Sequence, residues 1–272
     1  MTAVDRSLLD FAVDLTLRAG RLAAERFMNG VGPVSVKQDG SEVTEVDLMV
    51  EDLMRTALAT YAPDDEIYGE EAGTSTGSSG RRWVIDPIDG TTYFARRVPL
   101  FQNVLAFEDE HGPAVSVINR PMSNELIYAG RGHGCWQLLA GNETRRQVRV
   151  GSRRTLGGAG TQTGNPATWS DELLLALHRK VFLMGYTGGV TDLVTDRVDA
   201  VVVAGFPMGY EDLAPLPVLV EEAGGKVTDL SGGPVLTGDG TVLATNESLH
   251  GAFLDVVRDL PRSRDWRALQ EH

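Results

Sequence analysis

The feature that most constrains the fold lies at residues 83–92, which read Trp-Val-Ile-Asp-Pro-Ile-Asp-Gly-Thr-Thr. The apolar run Trp83–Ile85 predicts a buried strand that ends at Asp86. Pro87 has a fixed φ and lacks an N–H, so it predicts a rigid turn directly after that strand. Carboxylates on a rigid backbone suit hard cations, which prefer oxygen ligands. The Gly90-Thr91 pair is expected to open a helix whose N–H groups point at a phosphate.

Helical and strand patterns alternate along the rest of the chain. Apolar residues at helical spacing predict helices over 5–28, 44–61, 171–180, 189–196, 212–223 and 249–260, with Thr44 as the N-cap of the second. Apolar and β-branched runs predict strands at 104–107, 114–119, 125–130, 134–139, 198–204, 227–229 and 242–244. Residues 74–82 have the composition of a flexible loop. Such mixed elements favour a layered α/β or α+β architecture, a sandwich of alternating helix and sheet layers.

The length of 272 residues fits a single domain spanning 1–272. The composition changes near 140–165, where Gly, Arg and Thr become frequent. We therefore expect two halves, about 1–145 and 146–272. The first half is expected to hold the metal and phosphate site, and the second half, with Asp212, is expected to form the substrate side.

Charge and cysteine content limit the classes of partner. The formal net charge is −13, which disfavours nucleic-acid backbones and anionic membranes. No apolar run is long enough to predict a membrane-spanning helix, and the first residues lack the pattern of a secretory signal. Cys135 is the single cysteine, which fits a reducing cytoplasm. A phosphorylated substrate would be repelled as well, unless bound cations inverted the local field.

Three further segments carry charged residues that could join residues 83–92 at one site. They are Lys37–Asp47, the triplet Gly69-Glu70-Glu71, and the pair Glu211-Asp212. In this order, the four segments resemble the inositol monophosphatase superfamily over nearly the whole chain. The resemblance implies the layered helix-and-sheet fold of those enzymes and the hydrolysis of a phosphate monoester.

The resemblance also implies a role for each polar residue of these segments. The ligands of two adjacent Mg²⁺ ions would be Glu70, Asp86, the carbonyl of Ile88, Asp89 and Asp212. Glu70 and Asp47, through water, would support a third ion. Thr91, with Asp47 and Thr44, would orient the attacking water, and the amides of Gly90 and Thr91 would cradle the phosphate.

General chemistry agrees with this assignment. Two cations a few ångströms apart stabilise the attacking and leaving oxygens of an in-line displacement. Phosphoryl transfer needs positioning and charge stabilisation more than a protein nucleophile. An all-oxygen ligand set favours Mg²⁺, or Mn²⁺, over Zn²⁺.

Simpler interpretations remain open for some of these residues. For Asp47 the simpler interpretation is a surface position on its helix, and for Asp212 it is a helix N-cap. Lys37 is either a surface lysine or a site lysine near the phosphate or third metal. Glu71 is expected to have a structural role beside the ligand Glu70.

Three single positions and one four-residue stretch depart from the family pattern. Tyr93 stands where asparagine is usual, Glu211 where tryptophan is usual, and Val203 where inositol monophosphatases have a substrate-binding glutamate. Residues 185–188 read Gly-Tyr-Thr-Gly instead of Gly-Ser-Ala-Ala, and the aspartate that histidinol-phosphate phosphatases often carry near Tyr186 is missing. We expect Tyr186 and Glu211 to shape a remodelled pocket that takes a polyol, cyclitol or amino-alcohol phosphate.

Two other functions are compatible with the chain. A 3′-phosphonucleotide or sugar-phosphate phosphatase would need basic residues for further substrate groups, for which Arg81, Arg82, Arg96 and Arg97 are candidates. A non-catalytic metal- or phosphate-binding scaffold would tolerate loss of a metal ligand, yet all the acidic ligands are present. The family resemblance alone implies a homodimer.

Overall fold

The computed structural model describes residues 2–37, 40–139 and 144–265. Asp39, which belongs to the charged segment Lys37–Asp47, lies outside the described residues. The chain divides into two compact units, Met1–Gln147 and Val148–His272. Each unit has its own sheet and its own hydrophobic core.

The first unit joins a mixed sheet to two long helices. Its helices are α1 (Arg6–Asn29), α2 (Glu45–Tyr61) and α3 (Thr91–Ala95). Its strands are β1 (Val34–Val36), β2 (Glu42–Thr44), β3 (Glu66–Gly69), β4 (Gly73–Ser75), β5 (Arg82–Asp89), β6 (Gln102–Asp109), β7 (Gly112–Arg120), β8 (Glu125–Gly130), β9 (Gly134–Leu139) and β10 (Arg145–Val148). Among the described residues, β1 pairs with β2, and the remaining strands form one sheet in the order β10-β9-β8-β7-β6-β5-β3-β4. β3 runs parallel to β5, whereas neighbours from β5 to β9 are antiparallel.

Helix α1 shows how local sequence sets the boundaries of an element. The side chain of Asp5 caps its start by accepting a hydrogen bond from the N–H of Ser7 at 2.8 Å. The helix ends at Gly30, whose φ of 140° suits glycine and whose N–H donates to the carbonyl of Arg26. The apolar stripe between these ends is buried and packs against α2 and strands β6 to β8.

Aromatic packing fixes α3 near the end of β5. Phe94 of α3 lies between Phe27 of α1 and Phe101, with ring centroids 5.5 Å and 4.8 Å away. On β5, Trp83 is fully buried against Phe107 of β6 at 4.6 Å. Burial of each such side chain contributes about 1.5–3 kcal/mol. The start of α3 and the end of β5 are therefore held in one place by the core.

The second unit repeats the combination of sheet and helices on a smaller scale. Its helices are α4 (Asp171–His178), α5 (Val190–Val194), α6 (Tyr210–Leu213), α7 (Leu216–Glu222) and α8 (Glu247–Val257). Its strands are β11 (Gly160–Thr163), β12 (Phe182–Met184), β13 (Ala200–Val203), β14 (Gly225–Thr228) and β15 (Val242–Asn246), arranged as β12-β11-β13-β15-β14 within the described residues. Trp169, Leu243 and Phe253 lie at the centre of its core.

The predicted layered α/β (α+β) architecture is confirmed, because mixed sheets carry helices packed against them in both units. Two local predictions were wrong. The helix expected over 212–223 is split into α6 and α7 at Pro215, which has no N–H to continue the helical ladder. The loop expected over 74–82 begins with β4, which pairs with β3. None of the described helices is long and apolar enough to cross a membrane.

Candidate metal and phosphate site

Strand β5 carries both aspartates of the 83–92 segment. The sequence predicts a strand that ends at Asp86, but the strand continues to Asp89 with a shift in its pairing to β6. Such an irregularity accommodates Pro87, which gives no N–H to the ladder. Asn103 of β6 donates its side-chain N–H to the carbonyl of Pro87 at 2.6 Å. The shift places Asp86 and Asp89 near each other although they are three positions apart.

The carboxylates of Asp86 and Asp89 form a pair that suits a cation. Each offers an oxygen, and these oxygens lie within 4.8 Å of one another. Asp86 is only 2% exposed. Gln102 of β6 donates a hydrogen bond from Nε2 to Oδ2 of Asp89, which orients that carboxylate. Two adjacent carboxylates repel when both are ionised, and a hard divalent cation relieves that repulsion with the ligands it prefers.

Gly90 and Thr91 begin α3, as the sequence predicts. Gly90 is the N-cap with a φ of 90°, and a Cβ there would lie 2.9 Å from the carbonyl oxygen of Leu100. Glycine is therefore required by both backbone conformation and space. The hydroxyl of Thr91 lies 2.9 Å from the carbonyl oxygen of Ile88 and 3.1 Å from Oδ1 of Asp47. The predicted ligand carbonyl and the predicted water-orienting hydroxyl are therefore neighbours.

Asp47 is fixed by a capping box at the start of α2. Its Oδ2 accepts hydrogen bonds from the N–H of Thr44 at 2.9 Å and from the Thr44 hydroxyl at 2.5 Å. Thr44 is the N-cap of α2, as predicted. Asp47 is completely buried, so the surface alternative for this residue is wrong. Burial raises the pKa of its carboxyl group, and hydrogen bonds from Thr44 and Thr91 partly oppose that shift.

Lys37 lies between the two glutamates that follow β3. Its Nζ is 2.8 Å from Oε1 of Glu70 and 2.8 Å from Oε1 of Glu71. Burial lowers the pKa of Lys37, but hydrogen bonds to both carboxylates outweigh it and raise the pKa above its usual value. Burial raises the pKa of Glu71 to about 7, although the hydrogen bond from Lys37 acts in the opposite direction. Lys37 is therefore half-buried and pairs with both Glu70 and Glu71.

A cleft of about 490 Å³ opens beside these groups. It lies between the β1–β2 hairpin and the start of α3, and its lining comprises Val36, Gly40, Ser41, Glu42, Glu70, Gly90, Thr91, Thr92, Tyr93 and Arg96. Arg96 donates to Glu42 at 2.6 Å and so links α3 to β2. Tyr93, which departs from the family pattern, contributes an aromatic wall to this cleft.

The arginines considered for a second phosphate have other contacts. Arg81 pairs with Asp65 at 2.8 Å, and Arg82 pairs with Glu66 at 2.5 Å. The guanidinium of Arg97 lies 5.8 Å from the ring centroid of Phe27. With Arg96 paired to Glu42, all four candidates serve contacts within the first unit.

The predicted residues of the second unit lie on two segments. Tyr186 lies between β12 and α5, and its ring is 3.2 Å from the position that a Cβ on Gly189 would take. Glu211 and Asp212 lie in the first turn of α6 and are half-buried. The N-cap of α6 is Gly209, so the alternative role of Asp212 as an N-cap is wrong. The Glu211 carboxylate folds back over Gly209.

Sequence patterns missed several residues that orient the site. Gln102 and Asn103 lie at the start of β6, just before the predicted strand 104–107. Glu51 and Arg55 lie on α2 and contact the backbone that follows β3. One sequence signal could have pointed to Glu51. It lies four residues after Asp47 and therefore on the same face of the helix.

Known proteins with similar sequences include several phosphatases. Residues 5–262 match the Inositol monophosphatase family. A histidinol-phosphatase of Mycobacterium tuberculosis is 33% identical over 90% of this chain and 96% of its own length. An inositol-1-monophosphatase of Mesorhizobium japonicum is 31% identical over 93% of this chain and 96% of its own. A Nus factor SuhB of Pseudomonas aeruginosa is 33% identical over 90% and 95%.

Solved structures show the same fold. The IMPase of Thermotoga maritima superposes with a TM-score of 0.81 at 26% identity, covering 93% of this chain and 97% of its own. The extragenic suppressor protein SuhB of Bartonella henselae has a TM-score of 0.82 at 24% identity, covering 93% and 99%.

Proposed function

Because this chain belongs to the inositol monophosphatase family and is a phosphoric monoester hydrolase, we propose that it hydrolyses a small polyol, cyclitol or amino-alcohol phosphate with Mg²⁺ as its cofactor. The observation that carries the proposal is the pair of carboxylates on β5, Asp86 and Asp89, with oxygens within 4.8 Å. Mn²⁺ is an alternative cofactor, because it accepts the same oxygen ligands.

The metal ligands we propose are those that the family resemblance implies. Glu70, Asp86 and the carbonyl of Ile88 would hold one ion, and Asp86, Asp89 and Asp212 a second. Mg²⁺ bound there would polarise the phosphoryl group and lower the pKa of a coordinated water. Lys37 donates a hydrogen bond to the carboxylate of Glu70, which lines the cleft, and so restricts the orientation of that carboxylate.

Thr91 and Asp47 are proposed to orient the attacking water. The Thr91 hydroxyl has one hydrogen, which it donates to Oδ1 of Asp47 or to the carbonyl of Ile88. Its oxygen lone pairs are then directed away from these acceptors and accept a hydrogen from water. The buried carboxyl of Asp47 supports this arrangement, since its raised pKa makes it a better proton acceptor than an exposed aspartate. The amides at Gly90 and Thr91 would bind the phosphate oxygens.

The leaving alcohol is proposed to meet Tyr186 and Glu211. A carboxylate in place of the usual tryptophan favours a hydroxyl-rich or amino-bearing leaving group. Arg81 and Arg82 are engaged by Asp65 and Glu66, and Arg96, which lines the cleft, is engaged by Glu42. The nucleotide alternative is therefore less well supported than the small-ester proposal.

The test is release of inorganic phosphate from a panel of esters. The panel contains inositol, histidinol, sugar and 3′-nucleotide phosphates, each assayed with Mg²⁺, with Mn²⁺ and after treatment with EDTA. We expect activity with both metals, none after EDTA, and recovery when Mg²⁺ is restored. Full turnover in metal-free buffer would contradict the cofactor, whereas a preference for 3′-nucleotides would contradict the substrate class.

We further propose a cytoplasmic homodimer. The buried thiol of Cys135 suits a reducing compartment, and the dimer follows the family resemblance. Sedimentation at micromolar concentration tests the dimer, and a monomer there would overturn it.

A further inference from the structure

A side chain from α2 holds the backbone that carries Glu70 and Glu71. Glu51 of α2 is 2% exposed. Its Oε2 accepts a hydrogen bond from the N–H of Glu71 at 2.8 Å, and its Oε1 accepts one from the N–H of Ala72 at 3.0 Å. Hydrogen bonds to a carboxylate are stronger than those between neutral groups. The path of the chain directly after Glu70 is therefore set by α2.

Arg55 completes this contact one helical turn further along α2. Its Nε donates to Oε1 of Glu51 at 2.7 Å, which compensates the buried carboxylate. Its other nitrogens donate to the carbonyl of Gly73 and to the hydroxyl of Ser75 at 2.9 Å. Glu51 thus binds the turn that follows β3, and Arg55 binds the strand β4 that comes after it.

Gly69 shows how closely this pair approaches β3. A Cβ at Gly69 would lie 2.3 Å from Oε1 of Glu51 and 2.7 Å from a terminal nitrogen of Arg55. Both distances are shorter than van der Waals contact. The residue before Glu70 must therefore lack a side chain for the Glu51 carboxylate to reach the amides of Glu71 and Ala72.

We infer that Glu51 is a positioning residue, which holds the Glu70–Ala72 backbone so that the Glu70 carboxylate is presented to a divalent cation. The inference rests on the proposed role of Glu70 as a metal ligand. A ligand on a turn between strands gains affinity when the turn is ordered before the ion arrives. Residues that orient a metal ligand in this way typically affect metal affinity by about 10- to 100-fold.

The decisive variant is Glu51→Gln, which keeps the side-chain shape but replaces one acceptor oxygen with a donor. Its matched control is Glu125→Gln on β8, three strands from β5, where a buried carboxylate pairs with Arg120 at 3.0 Å. Calorimetry of Mn²⁺ binding without substrate should show about tenfold weaker affinity for Glu51→Gln and parent affinity for Glu125→Gln. Hydrogen exchange of residues 70–73 in the metal-free protein should be faster in Glu51→Gln alone. At saturating metal, the KM for the ester should stay at the parent value.

A second variant covers the possibility that Glu51→Gln does not fold. The methyl group of Gly69→Ala would displace the Glu51 carboxylate from the β3 side. Like Glu51→Gln, this variant should weaken Mn²⁺ binding and speed hydrogen exchange at residues 70–73. Parent affinity in the folded variants, or equal losses in Glu125→Gln, would overturn the positioning role. Absence of Mn²⁺ binding by the parent would instead contradict the proposed metal dependence, and this role with it.

Discussion

The hydroxyl oxygen of Thr91 lies 3.1 Å from Oδ1 of Asp47, although the two residues are 44 positions apart in the chain. The contact joins the start of α3 to the first turn of α2. The second oxygen of Asp47 is occupied by both donors of Thr44. The carboxylate is thus unable to rotate freely, and it keeps one acceptor oxygen beside the Thr91 hydroxyl.

Removal of this hydroxyl should reduce turnover. We expect Thr91→Ala to lower kcat by at least about 100-fold, the scale of losing one group that acts in the transition state. Asp47→Asn should have a similar effect, because an amide is a weaker proton acceptor. Thr60→Ala, which removes an exposed hydroxyl from the last turn of α2, is the control. Steady-state kinetics at saturating Mg²⁺ provide the measurement, and parent kcat in Thr91→Ala would refute the assignment.

Neutralising a proposed metal ligand should separate activity from stability. Asp89→Asn and Asp212→Asn should each lower turnover by at least about 100-fold. Asp89→Asn also removes repulsion from Asp86, so its thermal midpoint without metal should equal or exceed that of the parent. Asp52→Asn on the exposed side of α2 serves as the control. Thermal unfolding with and without Mg²⁺ measures the effect on stability, and steady-state kinetics measure the effect on turnover. Unchanged turnover in both variants would contradict the role of the second ion.

Replacement of Glu211 should alter substrate choice more than hydrolysis. Glu211→Gln removes a charge on the proposed alcohol side, so the ranking of esters or their KM values should change. The kcat for a small generic ester should change by less than about tenfold, or about 1.4 kcal/mol. Glu172→Gln on the exposed side of α4 is the control. If the ranking and every KM stay as in the parent, Glu211 does not determine specificity.

His250 should make the folded state less stable in acid. Burial lowers its pKa from 6.5 to about 4, and its ring nitrogens lie 3.0 Å from the hydroxyls of Thr228 and Thr245. Between these pH values the unfolded chain binds a proton that the folded chain does not, so stability falls as pH falls. The loss from this one group is about 3 kcal/mol across the range.

Urea unfolding from pH 7 to pH 4 tests this dependence. His250→Gln has no titrating ring and should show a shallower decline in unfolding free energy than the parent. His111→Gln, which alters a half-exposed histidine, should decline as the parent does. Identical slopes for the parent and His250→Gln would show that His250 does not titrate in this range.

Local sequence patterns predicted the long elements well. The helices expected over 5–28 and 44–61 were found at Arg6–Asn29 and Glu45–Tyr61, because many apolar positions recur at helical spacing and a capping residue precedes each start. Several short strands escaped prediction, although the four-residue strands β13 and β14 overlap predicted ones. Three or four residues, as in β1, β3 and β12, contain too few positions to show alternation, and only pairing with a neighbour stabilises them as strands.

The same distinction holds for the candidate site. The sequence by itself determined which oxygen-bearing groups the chain carries, their order, and the helix starts at Thr44 and Gly90, since these depend on neighbours within a few positions. Only the tertiary structure decided that Lys37 meets Glu70, 33 positions away, and that Glu51 reaches the amide of Glu71, 20 positions away. The Glu51 contact depends on how α2 packs against β3 and β5, and packing between distant segments leaves no periodic pattern in the chain.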